Sequence, residues 1–107
     1  MLQYLLNMFD FGMNPQQAVE VPRISTASHP DSFDPHPCYP GRLNAETRID
    51  SAVLDELASR GHKVERWPAF SSPGRTPGNV CGIRVDRASG TLMAGADPRG
   101  VGYAIGW

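Results

Sequence analysis

The sequence is short of several things, and each shortage removes a class of function. Its only two cysteines, Cys38 and Cys81, match neither zinc-ligand nor redox-pair spacing. They read as small buried hydrophobes or idle thiols. A disulfide between them is the lesser alternative, since nothing in the sequence fixes their distance. No polybasic run is present and the formal net charge is −1, so the electrostatic footprint of a nucleic-acid binder is missing. No apolar stretch is long enough to span a bilayer. The opening residues, Met1 to Gly12, are amphipathic and lack the basic start and small-residue cleavage site of a signal peptide. With no targeting segment, periplasm and cytoplasm stay equally open. No internal repeat is visible.

What is present is a globular composition. Of the 107 residues, 40% are hydrophobic and 20% charged, which excludes a disordered tail. Gly and Pro number 11 and 10, and they concentrate between Pro30 and Gly41 and between Pro68 and Gly78. Such loops are costly to order in a small protein. They suit a polypeptide that lies on a larger partner surface or lines a site.

Leu2, Leu5, Leu6 and Phe9 recur at helical spacing, with Gly12 placed to end the helix in a left-handed cap. No N-cap precedes Met1, so the helix starts abruptly. A second helix begins at Asn14, where Pro15 suits the first turn and Gln17 completes a capping box; Pro22 stops it. Arg23 to Ala27 can be extended. Pro30, Pro35, Pro37 and Pro40 forbid a central strand or helix interior. A short strand fits Arg42 to Ile49. Asp50 or Ser51 caps a third helix through Arg60, with Val53, Leu54 and Leu57 inward and Gly61 as its stop. Lys63 to Trp67 can be a strand, followed by the loop Ser71 to Gly78. Cys81, Ile83 and Val85 alternate with Gly82 and Arg84. Asp86 to Gly90 is turn chemistry, and Leu92, Ala94 and Ala96 alternate along a return strand, which together predict an antiparallel hairpin. The fold class is α+β, with about three helices and antiparallel strands.

Several groups could carry chemistry. His29 and His36 share a Pro-rich loop with Asp31 and Asp34; a solvated loop accounts for them better than a His/Asp metal site. His62 follows a helix-ending Gly, where a cation is favoured by the helix dipole. Ser71 and Ser72 lack the sharp strand–helix turn that presents a nucleophile. The Gly-rich stretch around Arg75 lacks the lysine of a phosphate loop. Glu46 and Asp97 remain unexplained by turns or caps. Asp97-Pro98-Arg99 follows a strand: Asp97 can bond nearby backbone N–H groups, and Arg99 offers a planar fork for a carboxylate or for carbonyls. An ion pair that locks the last residues, Tyr103 to Trp107, against the sheet is favoured over an anion clamp.

The run Leu2 to Arg23, in which an apolar helix ends in Asp10-Phe11-Gly12-Met13 and an Ala18-Val19 helix leads into Pro22-Arg23, resembles a segment in the small subunit of γ-glutamyltransferases. Glu46 sits where that family often has a glutamate before the next helix. Leu57 followed by Gly61-His62 is similar to its Leu-x-x-x-Gly-His pattern. The ending, Gly95 to Trp107, looks like its C-terminus, in which Asp97-Pro98-Arg99 precedes a Gly/Ala/aromatic finish. The four motifs span the sequence in order. Gly100 departs from the family's second basic residue after Asp-Pro, and the loop His29 to Gly41 matches nothing in it.

The resemblance implies the C-terminal portion of an N-terminal-nucleophile hydrolase αββα sandwich, with residues 1–107 as a single segment of the small subunit. In that family a precursor cuts itself in two, and the new N-terminal threonine attacks a γ-glutamyl amide, its α-amine serving as base. The implied partners are the remainder of the small subunit and the large subunit of the same precursor, with self-association when the segment is isolated; no cofactor is implied. None of the catalytic groups maps here, since Thr26, Thr47, Thr76 and Thr91 are all internal. Pro22, Arg23, Glu46, Gly61, His62, Asp97, Pro98 and Arg99 are therefore a structural signature. The expected role is a non-catalytic part of a γ-glutamyl transferase or hydrolase. The alternative is a free-standing binding or assembly module derived from the same fold.

Overall fold

The computed structural model describes residues 1–71 and 78–106. The order of elements is α1 (Leu2–Phe9), α2 (Pro15–Glu20), β1 (Ile24–Thr26), β2 (Arg42–Glu46), α3 (Ser51–Ser59), β3 (Lys63–Trp67), β4 (Cys81–Val85) and β5 (Leu92–Ala96). They fall into two compact units: Met1–Val21 with Pro77–Trp107, and Pro22–Thr76. The loop from Ser72 to Pro77, with Arg75 and Thr76, and the terminal Trp107 lie outside the described residues.

In the first unit, α2 starts as its sequence dictates. The Asn14 side chain accepts from Gln17 N at 2.9 Å, and Asn14 N donates to the Gln17 side chain at 3.1 Å, a complete capping box. Ala18 and Val19 are buried. Asn7 of α1 donates to Ala18 O at 3.2 Å, and Met8 is the buried residue of α1. The Leu2, Leu5, Leu6 and Phe9 stripe is open: Leu2 and Phe9 are 69% and 76% exposed. Gly12 is left-handed as expected, at φ +65°, but it lies beyond the Asp10 cap, after Phe11 N has bonded Leu6 O.

β4 and β5 form the expected antiparallel hairpin, with Gly82 opposite Gly95 and Ile83 opposite Ala94. Its turn is closed by Asp86, which accepts from Ala88 N at 3.0 Å and Ser89 Oγ at 2.7 Å. The two faces are unequal in an unexpected way. The covered one carries Gly82, Met93 and Gly95. The one carrying Ile83, Val85 and Leu92 is bare, at 70%, 58% and 67% exposure. The glycines explain this, because a Cβ at Gly82 would overlap the Tyr4 ring and one at Gly95 would overlap the Pro15 backbone. Both helices therefore seat on the glycine side. Burial there also pushes the Tyr4 phenol above its ordinary pKa. The expectation that the last residues are pinned to the sheet is not met at Tyr103 and Ile105, which are exposed.

In the second unit the strand order is β1-β2-β3. β1 pairs antiparallel with β2, Ser25 opposite Asn44. β2 and β3 pair in parallel, Arg42 opposite Lys63 through Glu46 opposite Trp67. This one parallel pair departs from the all-antiparallel expectation because α3 is the crossover between its strands. Leu43, Ala45, Leu54 and Trp67 form the core. Asp50 caps α3 through Ala52 N at 2.8 Å. Of the three residues expected inward, Leu54 is buried, Leu57 half-buried and Val53 exposed, so the helix presents a narrower stripe than its apolar positions suggested. Among the described residues, three helices and a predominance of antiparallel pairing make this an α+β fold.

Candidate functional site

Glu46 and Asp97, the two carboxylates without a local explanation in sequence, are each buried at the C-terminal end of a strand, with an arginine two residues on. Each belongs to a different unit.

In the first unit, the side chains of Asp97 and Arg99 are 0% and 1% exposed and meet at 3.0 Å. Asp97 Oδ1 accepts from both Arg99 N and Arg99 Nη1, and Oδ2 accepts from Val80 N at 3.4 Å. The guanidinium then reaches the end of α2. Nη1 donates to Val19 O at 2.8 Å, and Nη2 donates to Val21 O at 3.0 Å. The last carbonyls of a helix have no partner within it and sit at its negative pole. The Arg99 guanidinium thus caps the C-terminus of α2, held in place by Asp97. The fork's planarity lets one residue serve several acceptors, which a lysine cannot copy. Pro98 lies exposed between them. Gln16 adds a second tie, as its amide accepts from Ala96 N at 3.0 Å and donates to Ala96 O at 3.2 Å.

In the second unit, Glu46 is 0% exposed. Oε2 accepts from Arg23 N at 3.0 Å, and Oε1 accepts from Phe70 N at 2.6 Å. Arg48 Nη2 donates to both oxygens at 3.1 Å. The Arg48 guanidinium also stacks on the Phe70 ring, 3.8 Å from its centroid. Arg23 is buried in the same unit, and Pro22 is half-buried beside it. Gly61 and His62 act through their backbone: Gly61 N donates to Ala58 O and His62 N to Leu57 O, a Schellman motif with Gly61 at φ +96°. The His62 side chain is exposed.

The remaining sequence candidates are accounted for locally. Asp31 accepts from Phe33 N, and His36 Nδ1 lies 2.8 Å from Asp31 O. Among the described residues no three His, Cys, Asp or Glu side chains gather as a metal site. Ser71 Oγ donates to Pro68 O at 2.8 Å; Ser72 and Arg75 lie outside the described residues. Cys38 and Cys81 are free and exposed, neither bridged nor buried. Among the described residues no helix is long and apolar enough to cross a membrane. Arg48 and Phe70 are the partners that sequence reasoning missed. The signal for Arg48 was there, since Glu46-Thr47-Arg48 repeats the acid-x-Arg spacing of Asp97-Pro98-Arg99.

Known proteins are similar to this chain in sequence and architecture. The family model described as gamma-glutamyltranspeptidase matches residues 1–107. The glutathione hydrolase-like YwrD proenzyme of Bacillus subtilis is 32% identical over 95% of this chain. The acylase ACY 1 proenzyme of Pseudomonas sp. (strain SE83) is 35% identical over 89% of it. The chain spans only 18% and 17% of the length of these two relatives. The solved structure of LmbA2991HD superposes with a TM-score of 0.86 at 31% identity, covering 99% of this chain and 18% of that one. The fold is that of the N-terminal-nucleophile hydrolases, and the chain belongs to the gamma-glutamyltranspeptidase family.

Proposed function

We propose that residues 1–107 are the C-terminal part of the small subunit of a γ-glutamyltransferase-type enzyme, and that they contribute structure rather than catalytic groups. The whole enzyme then transfers or hydrolyses γ-glutamyl groups of glutathione-like amides. Its partners within the assembly are the remainder of the small subunit and the large subunit of the same precursor. One observation carries this reading: Glu46, Asp97 and Arg99 of the family signature are buried and engaged with the protein's own backbone. Arg99 bonds the carbonyls at the end of α2, and Asp97 bonds Arg99 and Val80 N. Groups engaged in this way have little capacity left for a substrate carboxylate.

Similarity to an acylase proenzyme supports a second reading for the whole enzyme, that of an acylase. The test uses the purified 107-residue protein with a γ-glutamyl anilide and an N-acylated amine. The expected outcome is no turnover above a heat-killed control with either substrate. Turnover abolished by a substitution within these residues would overturn the structural assignment.

A further inference from the structure

Phe70 takes a backbone conformation that L side chains adopt reluctantly, at φ +52°. At Gly12, Gly41, Gly61 and Gly90 the backbone meets the same demand with glycine. Glycine carries no Cβ, so those positions cost little. At position 70 a large aromatic stands instead, and something must offset the cost of holding it there. Burial of the ring does not, because Phe70 is 45% exposed.

The compensation lies in Glu46 and Arg48. The fully buried Glu46 carboxylate accepts from Phe70 N at 2.6 Å, a short charge-assisted bond. Arg48 holds that carboxylate from the other side and stacks on the Phe70 ring. The same guanidinium thus touches both ends of the contact, the acceptor and the ring. The base of the turn is fixed separately, by Thr47 N donating to Trp67 O at 2.9 Å and Ser71 N to Pro68 O at 3.3 Å. His36, at φ +55°, gives a contrast, since its N–H bonds Phe33 O within its own loop. Among the described residues, it is at Phe70 that a buried carboxylate from a distant strand holds a left-handed, non-glycine residue.

We propose that Glu46 and Arg48 form a clamp that holds Phe70 in its left-handed conformation, and that the Pro68–Ser71 turn is a two-state latch. It is closed while the carboxylate holds the Phe70 N–H. It opens when that bond is lost and the backbone strain drives Phe70 to an ordinary negative φ. Glu46 and Arg48 are then positioning residues for this turn.

The 107-residue protein, labelled with 15N and 13C, tests this by NMR. Backbone carbon shifts of Phe70 report a left-handed φ, and the β4–β5 hairpin supplies an internal reference. In Glu46→Gln and in Arg48→Met, the Phe70 shifts are expected to move to ordinary helical or extended values while the hairpin shifts stay put. Amide exchange at position 70 should accelerate by about tenfold to a hundredfold in Glu46→Gln, the span a charge-assisted bond controls. Glycine is unstrained at this φ, so adding Phe70→Gly should recover part of that protection. Should Glu46→Gln fail to fold, Arg48→Met, which leaves the carboxylate in place, decides. Phe70 shifts that stay left-handed in the folded variants would overturn the latch. So would faster exchange in Glu46→Gln/Phe70→Gly than in Glu46→Gln alone, because it would show the ring to be the support and the carboxylate a bystander.

Discussion

Gly82 and Gly95 face each other across the β4–β5 hairpin, and the two missing side chains are what let α1 and α2 lie on it. The Tyr4 ring occupies the space of one absent Cβ, and the Pro15 backbone occupies the space of the other. The difference between a ring and a backbone sets an order of sensitivity. A tyrosine ring can rotate away, whereas a capped helix start cannot. Gly95→Ala is therefore expected to destabilise the fold by about 1–3 kcal/mol, the usual cost of overpacking. Gly82→Ala should cost less. Urea denaturation of both variants checks this, and equal midpoints would show that α2 shifts as readily as the Tyr4 ring.

The hairpin also shows what sequence could and could not give. Its strands and its turn were legible, because alternation and turn chemistry are local. So were the Asn14 capping box, the Asp50 cap and the Gly61 stop. Which face of the hairpin is covered was not legible. The usual inference places the apolar set inward, yet Ile83, Val85 and Leu92 are bare while the glycine face is covered. Close approach of a helix backbone rewards the absence of a side chain, and hydropathy does not encode that. The parallel pairing of β2 with β3 is not legible for a similar reason, since the direction in which a strand returns after a helix is set by tertiary packing and not by local pattern. At the candidate site, Asp97 and Arg99 stood out as residues that no turn or cap explained. The Glu46–Phe70 bond spans 24 residues, and nothing in the sequence marks it.

The Asp86 carboxylate is held below its ordinary pKa by the Ser89 hydroxyl and then by the Ala88 N–H. A carboxylate with a depressed folded-state pKa contributes stability that is present above its unfolded pKa and lost as pH falls through the folded value. The hairpin turn should therefore be tightest at neutral pH and loosen only in acid, below the ordinary carboxylate range. Amide shifts of Ala88, Ser89 and Gly90 followed down in pH should report the transition, and Asp86→Asn should abolish it. A transition that persists in that variant would assign it to another carboxylate.

The bare face of the hairpin and the open stripe of α1 are apolar surfaces of the kind that mark interaction sites. If the rest of the enzyme covers them, the isolated 107 residues should self-associate. Light scattering at micromolar concentration is expected to show a dimer or larger species. Ile83→Lys and Leu92→Glu should each shift the distribution toward monomer, and Leu5→Lys should do so if the α1 stripe takes part. A monomer across the whole concentration range in the unaltered protein would count against both surfaces.

Asp97 and Arg99 give the test that separates structure from catalysis. Both side chains are essentially inaccessible, at 0% and 1% exposure, so solvent screens their attraction little. Removing one partner of a buried ion pair strands the other charge, at a cost of roughly 3–5 kcal/mol. That is a large share of the total stability of a domain, about 5–15 kcal/mol. Arg99→Ala also strips the C-terminal cap from α2, leaving the carbonyls of Val19 and Val21 without the donors they now have. Asp97→Asn keeps the shape but removes the charge that fixes the guanidinium. Both variants are expected to lower the melting temperature of the protein. In the complete enzyme they should lower the yield of matured protein, while the molecules that do mature keep most of their kcat. Arg99→Lys should behave more like the alanine variant than like the wild type, since an ammonium cannot serve the Asp97 carboxylate and the α2 carbonyls in one plane. The opposite pattern, normal maturation and melting with kcat lost in the complete enzyme, would place Arg99 at a substrate anion and refute the cap as its main work.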